Sequence, residues 1–202
     1  MRKLISLLLI LTLVLLTIGC SSQANPETAV KNYLEAVKKF DVETMNSLMA
    51  EPEEDYFKEM LEDEGEMATY FMDYIKDNAK KIEYEIINTK TEDNTAKVDV
   101  KAKFINGSPL IIETFGEFFE NLMAEAFSGN ELSEEETEAL MIEIMEEKSK
   151  EIETEFVETE FTINLVKKDN NWYLEEVSDE LTNVVTSNFF KAFDEINESF
   201  NE

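Results

Sequence analysis

From Ala96 to Phe104 every second residue is apolar, and each residue between, Lys97, Asp99, Lys101 and Lys103, is charged. A period of two belongs to a β-strand, whose side chains point alternately to opposite faces. Such a stretch must bury one face and wet the other, so it needs a partner strand and a layer packed on its apolar side. The partner lies just upstream: Ile82, Tyr84 and Ile86 alternate with Glu83 and Glu85, and Thr91 to Asn94 is turn material. The period returns from Glu155 to Lys168, with Val157, Phe161, Ile163 and Leu165 on one face. Asp169-Asn170-Asn171 then makes a hairpin turn into Trp172-Tyr173-Leu174. One antiparallel sheet over 82–104 and 157–174 is predicted, with Ile82, Tyr84, Val98, Val100, Phe161, Ile163 and Leu165 buried.

Elsewhere the apolar period is about 3.6. Asn25-Pro26-Glu27 opens a helix with a capping residue, a proline and an acid, and Val30, Tyr33, Leu34, Val37 and Phe40 form its face. Asp41 caps a second short helix with Met45, Leu48 and Met49 inward. A third helix after Pro52 is marked by Tyr56, Phe57, Met60 and Leu61; it bends near Gly65 and continues through Met67, Tyr70, Phe71, Tyr74 and Ile75. These N-terminal helices, residues 26–76, are expected on the concave side of the sheet. Between the strand pairs stands a helical hairpin, at about 108–152. Its first helix carries Ile111, Phe115, Phe118, Phe119, Leu122, Met123 and Phe127 and stops at Gly129-Asn130. Ser133-Glu134-Glu135-Glu136 is a capping box for the second, with Leu140, Met141, Ile144 and Met145 inward. Ser178 to Phe200 reads as one C-terminal helix bearing Leu181, Val184, Val185, Phe189, Phe193, Ile196 and Phe200. Segregated helices and antiparallel strands indicate the α+β class, as a single domain over 26–202.

The N-terminus carries an address. Met1-Arg2-Lys3 is basic, and Leu4 to Ile18 is aliphatic apart from Ser6, Thr12 and Thr17. Such a layout is that of a secretory signal, and it falls short of the roughly 20 apolar residues that span a bilayer. Leu16-Thr17-Ile18-Gly19-Cys20 resembles the lipobox of bacterial lipoproteins, with threonine where leucine is usual. That resemblance implies a signal peptide of 1–19, lipid attachment at Cys20 and a short tether over 20–25. The expected location is the extracytoplasmic face of the cell membrane. Two acyl chains hold a protein stably where one is marginal. Cys20 is the single cysteine, so no intramolecular disulfide can form.

Pro26-Glu27-Thr28-Ala29-Val30-Lys31-Asn32-Tyr33-Leu34-Glu35-Ala36, followed by Asp41-Val42-Glu43-Thr44-Met45, resembles the opening of the nuclear transport factor 2-like (cystatin-like) fold. The strand, polar turn and Trp172-containing strand of Phe161 to Leu174 resemble that fold's later part. The element order with its inserted hairpin is similar to Gram-positive lipoproteins of unknown function. This likeness covers most of 26–178 and rests on patterns of helix and strand. It implies a curved sheet with helices packed into it, leaving a cone that holds ligand in enzymes of the fold such as ketosteroid isomerase and scytalone dehydratase.

Missing residues limit the chemistry further. The chain has no histidine, and its single arginine, Arg2, leaves with the signal. His-dependent triads, His-based metal sites and bidentate guanidinium clamps are therefore excluded from the mature chain. With Cys20 committed to lipid, no thiol nucleophile remains, and no glycine-rich phosphate loop occurs. The net charge of −28 repels nucleic acid and anionic headgroups, and it attracts cations and basic partners. Carboxylate and tyrosine chemistry remains: a buried acid beside Tyr33, Tyr70, Tyr74 or Tyr84 inside the cone could act as a base. No acid is placed there by periodicity, so the tyrosines read as core edges with hydroxyls reaching the surface. The acidic run from Glu131 to Glu160 lacks the Asp-x-Asp-x-Asp-Gly pattern of a calcium loop and reads as a solvated helix face. Trp172 reads as core rather than as a carbohydrate platform. The expectation is a non-catalytic binding or accessory domain, without metal or other cofactor and without nucleic acid. It would meet the membrane through lipid and take a protein partner or small apolar ligand on the hairpin or the C-terminal helix. A cone enzyme and an acidic scaffold are the alternatives.

Overall fold

A computed structural model describes residues 25–52 and 65–199. The leader with Cys20, the segment with Tyr56, Phe57, Met60 and Leu61, and Phe200 lie outside the described residues.

Among the described residues, seven helices accompany one four-stranded antiparallel sheet, an α+β architecture. In chain order they are α1 (Pro26–Lys39), α2 (Val42–Ser47), α3 (Glu66–Ala79), β1 (Glu83–Glu92), β2 (Thr95–Ile105), α4 (Ser108–Ser128), α5 (Glu134–Glu151), β3 (Phe156–Lys168), β4 (Asn171–Leu174), α6 (Asp179–Val185) and α7 (Phe189–Ser199). The strands lie in sequence order β1-β2-β3-β4. Val100 sits between Ile86 of β1 and Phe161 of β3, and Val98 faces Ile163. On the wet face Lys101 pairs with Glu158 at 2.7 Å, and Asp99 accepts from Thr162 (2.7 Å) and Asn88 (3.1 Å). The β1 register slips between Ile86 and Asn88, a bulge that leaves Ile87 half-exposed. Asp169 and Asn170 both have positive φ, the backbone of a tight hairpin turn between β3 and β4.

The core divides into two clusters. One fills the apolar face of the sheet: Ala29, Val30, Tyr33, Leu34 and Val37 of α1 pack with Val98, Val100, Phe161, Ile163, Leu165 and Trp172. All the predicted sheet core positions are buried except Tyr84, which is half-buried on the edge strand. The other is aromatic and lies on the hairpin: Phe71 and Ile75 of α3, Ile111 and Phe118 of α4, Met141, Ile144 and Met145 of α5, and Phe189 of α7. Helix α3 was expected on the sheet with α1. It docks on the hairpin instead, and only its last residue, Ala79, joins the sheet cluster. Phe71 is the reason, since its ring lies 5.3 Å from Phe189 and 6.4 Å from Phe115.

The C-terminal segment also departs from expectation, because it is two helices and not one. Helix α6 ends with Ser187 N–H donating to the Val184 carbonyl and Asn188 N–H to that of Asn183. That pair of bonds closes a helix by the Schellman motif, with Ser187 (φ 56°) where glycine is usual. The break is held from outside. Gly107 N–H donates to the Ser187 carbonyl (2.8 Å), Ser108 Oγ to the Asn188 carbonyl (3.3 Å), and Asn188 Nδ2 to Asn106 Oδ1 (2.8 Å). Four of the six buried polar residues named among the described ones (Ser108, Thr186, Ser187 and Asn188) cluster in this joint between the two cores.

Candidate functional site

The joint borders a cleft of about 430 Å³. Helix α3 supplies one wall through two adjacent stripes at four-residue spacing, Tyr70-Tyr74-Asn78 and Asp73-Asp77-Lys81 (Lys81 just past its end). Ile105, Asn106 and Leu110 contribute where β2 turns into α4, and Ser149, Ile152, Glu153 and Thr154 complete it from the end of α5. Clefts where two packed units meet are a common place for small ligands.

Its polar groups are graded by depth. Asn78 is 4% exposed, and its Nδ2 meets no acceptor at hydrogen-bonding geometry. Its Oδ1 is 3.5 Å from Lys81 Nζ. Burial pushes the Tyr74 hydroxyl above its ordinary pKa, and the nearby Asn78 amide partly offsets that. The same hydroxyl lies 2.9 Å from where a Cβ on Gly107 would stand, so the absent side chain there makes room for the tyrosine. Tyr70 is raised too, first by burial and then by the charge of Glu146. The carboxylates are at the rim: Asp77 is exposed and is held low chiefly by its 2.6 Å hydrogen bond to Lys80. A solvated, lysine-paired acid is a weak base, so the cleft offers hydrogen bonds, ring faces and a negative rim.

The four tyrosines separate. Tyr33 is 1% exposed in the sheet core. Tyr70 and Tyr74 line the cleft. Tyr84 stands at the sheet edge, where it donates a 2.9 Å hydrogen bond to Glu35. Its pKa is pushed up to about 12, by burial first and then by that carboxylate. Tyr84–Glu35 is thus an acid–tyrosine pair, but Glu35 is open to solvent and the phenol is a poor proton donor at neutral pH. Where the resemblance would place a cone, α1 side chains occupy the sheet face. Trp172 is 3% exposed, which removes it as a stacking platform. Among the described residues no group of three or more acids is placed to hold a metal ion, and none of their helices is long and apolar enough to cross a membrane.

A second hollow of about 500 Å³ lies on the sheet, lined by Lys90, Glu92, Lys97, Asn164 and Glu175. Its charges offset one another, with Lys90 2.7 Å from Glu92. The first cleft is the better candidate because it holds a buried polar atom, Asn78 Nδ2, with bonding capacity to spare. Sequence reasoning named Tyr70 and Tyr74 but missed Asn78, Asn106 and Gly107, whose signal was only that polar or small residues stand at the ends of apolar runs. Comparison with protein-family models, with curated proteins and with solved structures finds no match to this chain.

Proposed function

We propose that the chain is a lipid-anchored protein of the extracytoplasmic face of a bacterial cell membrane, and that its domain acts by binding rather than by catalysis. In this reading residues 26–202 are a nuclear transport factor 2-like domain whose ligand site has moved from the filled cone to the cleft beside α3. The observation that carries it is Asn78, buried at a cleft lined by Tyr70 and Tyr74, whose amide leans on the Tyr74 hydroxyl without a full hydrogen bond and so keeps donor capacity. A buried amide donor left short of a full hydrogen bond costs up to about 1–3 kcal/mol, which a ligand carbonyl or hydroxyl oxygen would recover. Asp73, Asp77 and Glu153 outnumber Lys81 in the lining; Asp73 and Asp77 are paired at the rim with Lys76 and Lys80, which leaves Glu153 to meet a cation. Hence the ligand class is a small hydroxylated molecule bearing an amine, with the tyrosine faces beneath its cation.

Two measurements test the proposal. In a thermal-shift panel of amines, amino alcohols and amino sugars, at least one compound raises the melting temperature, and Asn78→Leu abolishes that shift while leaving the unliganded midpoint nearly unchanged. A panel without effect, or an equal shift in the variant, removes the cleft from consideration. Separately, mass spectrometry of membrane-extracted protein shows a diacylglyceryl Cys20 as the N-terminus; a released chain beginning at Asn25 contradicts the anchor.

A further inference from the structure

We infer that the free end of the α4–α5 hairpin is a docking surface for a basic amphipathic helix of a partner protein. Near its root α4 is well covered: Ile111 is fully buried and Phe118 is 8% exposed. Toward the tip the cover ends. Met123 is 54% exposed and Phe127 is 85% exposed, on the side of the helix where Phe119 is already 42% exposed. These residues recur every four positions and form a continuous apolar ridge about two turns long. Methionine and phenylalanine adapt to irregular apolar partners, and together they are over-used on peptide-binding surfaces.

Charge identifies the occupant. From Phe104 to Glu147 the chain contains twelve glutamates and no lysine or arginine. Glu120 follows Phe119 directly, and Glu131, Glu134 and Glu135 lie just past the hairpin turn. The tip is also the C-terminal end of α4, where the macrodipole is negative, and the last turn of that helix holds no basic residue. Gly129 and Asn130 close two of its terminal carbonyls, those of Ala126 and Glu125, and no basic side chain of that turn offsets the dipole. An apolar ridge within a field of one sign fits an apolar helix face flanked by lysine or arginine. A second copy of this chain would bring the same negative field, and so would an anionic bilayer. Both are disfavoured by like-charge repulsion.

The test uses full-length protein in a mild detergent and an 18-residue synthetic peptide of leucine and lysine patterned as an amphipathic helix. A peptide of identical composition, scrambled to destroy the apolar face, is the control. Wild type binds the patterned peptide at least tenfold more tightly than the scrambled one, with affinity falling as sodium chloride rises. The double variant Met123→Ser/Phe127→Ser loses at least tenfold of that affinity, while its melting temperature stays within a degree or two because both side chains are exposed. Equal binding of the two peptides would mean that charge alone attracts them, and the docking surface would be lost. Unchanged binding by the variant overturns the proposal equally. Two other results reassign the ridge: self-association in sedimentation that the variant abolishes makes it a contact between copies, and peptide binding that disappears as detergent is raised makes it a surface for lipid. The cleft variant Asn78→Leu binds the peptide normally, which separates this site from the first.

Discussion

The sheet core and the hairpin core use different packing rules. On the sheet, alternation assigns residues to one face, and α1 covers much of the apolar side with Ala29, Val30, Tyr33, Leu34 and Val37 at 1% exposure or less, joined by Leu181, Val184 and Val185 of α6. On the hairpin, α4 is apolar around more than half its circumference, and three neighbours share it. Phe115 lies 4.9 Å from Phe193 of α7, Phe118 is buried, and Met123 and Phe127 are bare. A period of two leaves no choice of face. A helix with more apolar surface than neighbours leaves a remainder, and that remainder is where a partner can act.

One substitution made in both places gives the largest contrast. Val100→Asp puts a carboxylate at a fully buried position between Ile86 and Phe161. The charge either stays unpaired or neutralises, at a cost of several kcal/mol, which is of the order of a domain's whole stability. The variant is expected to be unfolded by circular dichroism at 25 °C. Met123→Asp, on a position more than half exposed, is expected to change stability by about 0.5 kcal/mol or less. If Val100→Asp melts like wild type, the sheet core is not a tightly packed layer. If Met123→Asp unfolds the protein, the hairpin tip is core and the docking surface falls with it.

Much of this was legible in the sequence, and the failures have one physical source. Alternation located three strands and the Asp169-Asn170-Asn171 turn the fourth, and the capping box at Ser133 is present with both of its reciprocal bonds. Helix ends were read wherever they use the residues that favour them. Three helices here close with Schellman-type bonds: α4 at Gly129, α1 at Phe40 and α6 at Ser187. Only the first carries glycine, and only the first announced a positive φ. Phe40 holds φ 52° because its ring packs against both clusters, and Ser187 holds 56° because its carbonyl is bonded to Gly107. In both cases tertiary contacts outweigh a local preference worth about 1–2 kcal/mol. The break between α6 and α7 was therefore hidden, and with it the joint and the cleft. The docking of α3 was hidden as well, since periodicity shows which face is apolar but not what it meets.

Two glycines of the same hairpin sharpen the comparison at intermediate size. Gly107 has φ −83°, which alanine adopts freely, so its role is steric. A Cβ there would stand 2.8 Å from the Ser187 carbonyl oxygen and 2.9 Å from the Tyr74 hydroxyl. Backbone must move to admit it, and Gly107→Ala is expected to cost about 1–3 kcal/mol as an overpacked site. Gly116, on the exposed side of α4, would place a Cβ with nothing within 4 Å. Gly116→Ala is expected to stabilise by about 0.5–1 kcal/mol through helix propensity alone. Urea midpoints measure both. The same sign for the two would mean that the joint is looser than its hydrogen bonds imply.

The smallest expected effect lies at the sheet edge, where the two causes acting on Tyr84 can be separated. Its hydroxyl is raised to about 12 from an ordinary value near 10, with burial the larger cause and the Glu35 carboxylate the smaller. A raised pKa means that the folded state favours the neutral phenol. The stabilisation is complete below pH 10 and is lost as pH rises from 10 through about 12. Because the residue is only half-buried at the sheet edge, solvent screening keeps the change in stability slight, and the titration is the better measurement. Followed by phenolate absorbance as the difference between wild type and Tyr84→Phe, Tyr84 should ionise well above pH 10. Glu35→Gln keeps a hydrogen-bond acceptor and removes the charge. It should lower the midpoint only part of the way, because the desolvation remains. A return to 10 in Glu35→Gln would make the carboxylate the whole cause. A wild-type midpoint already at 10 would mean that the edge strand leaves Tyr84 in water, so that burial at the start of β1 ends at Ile82.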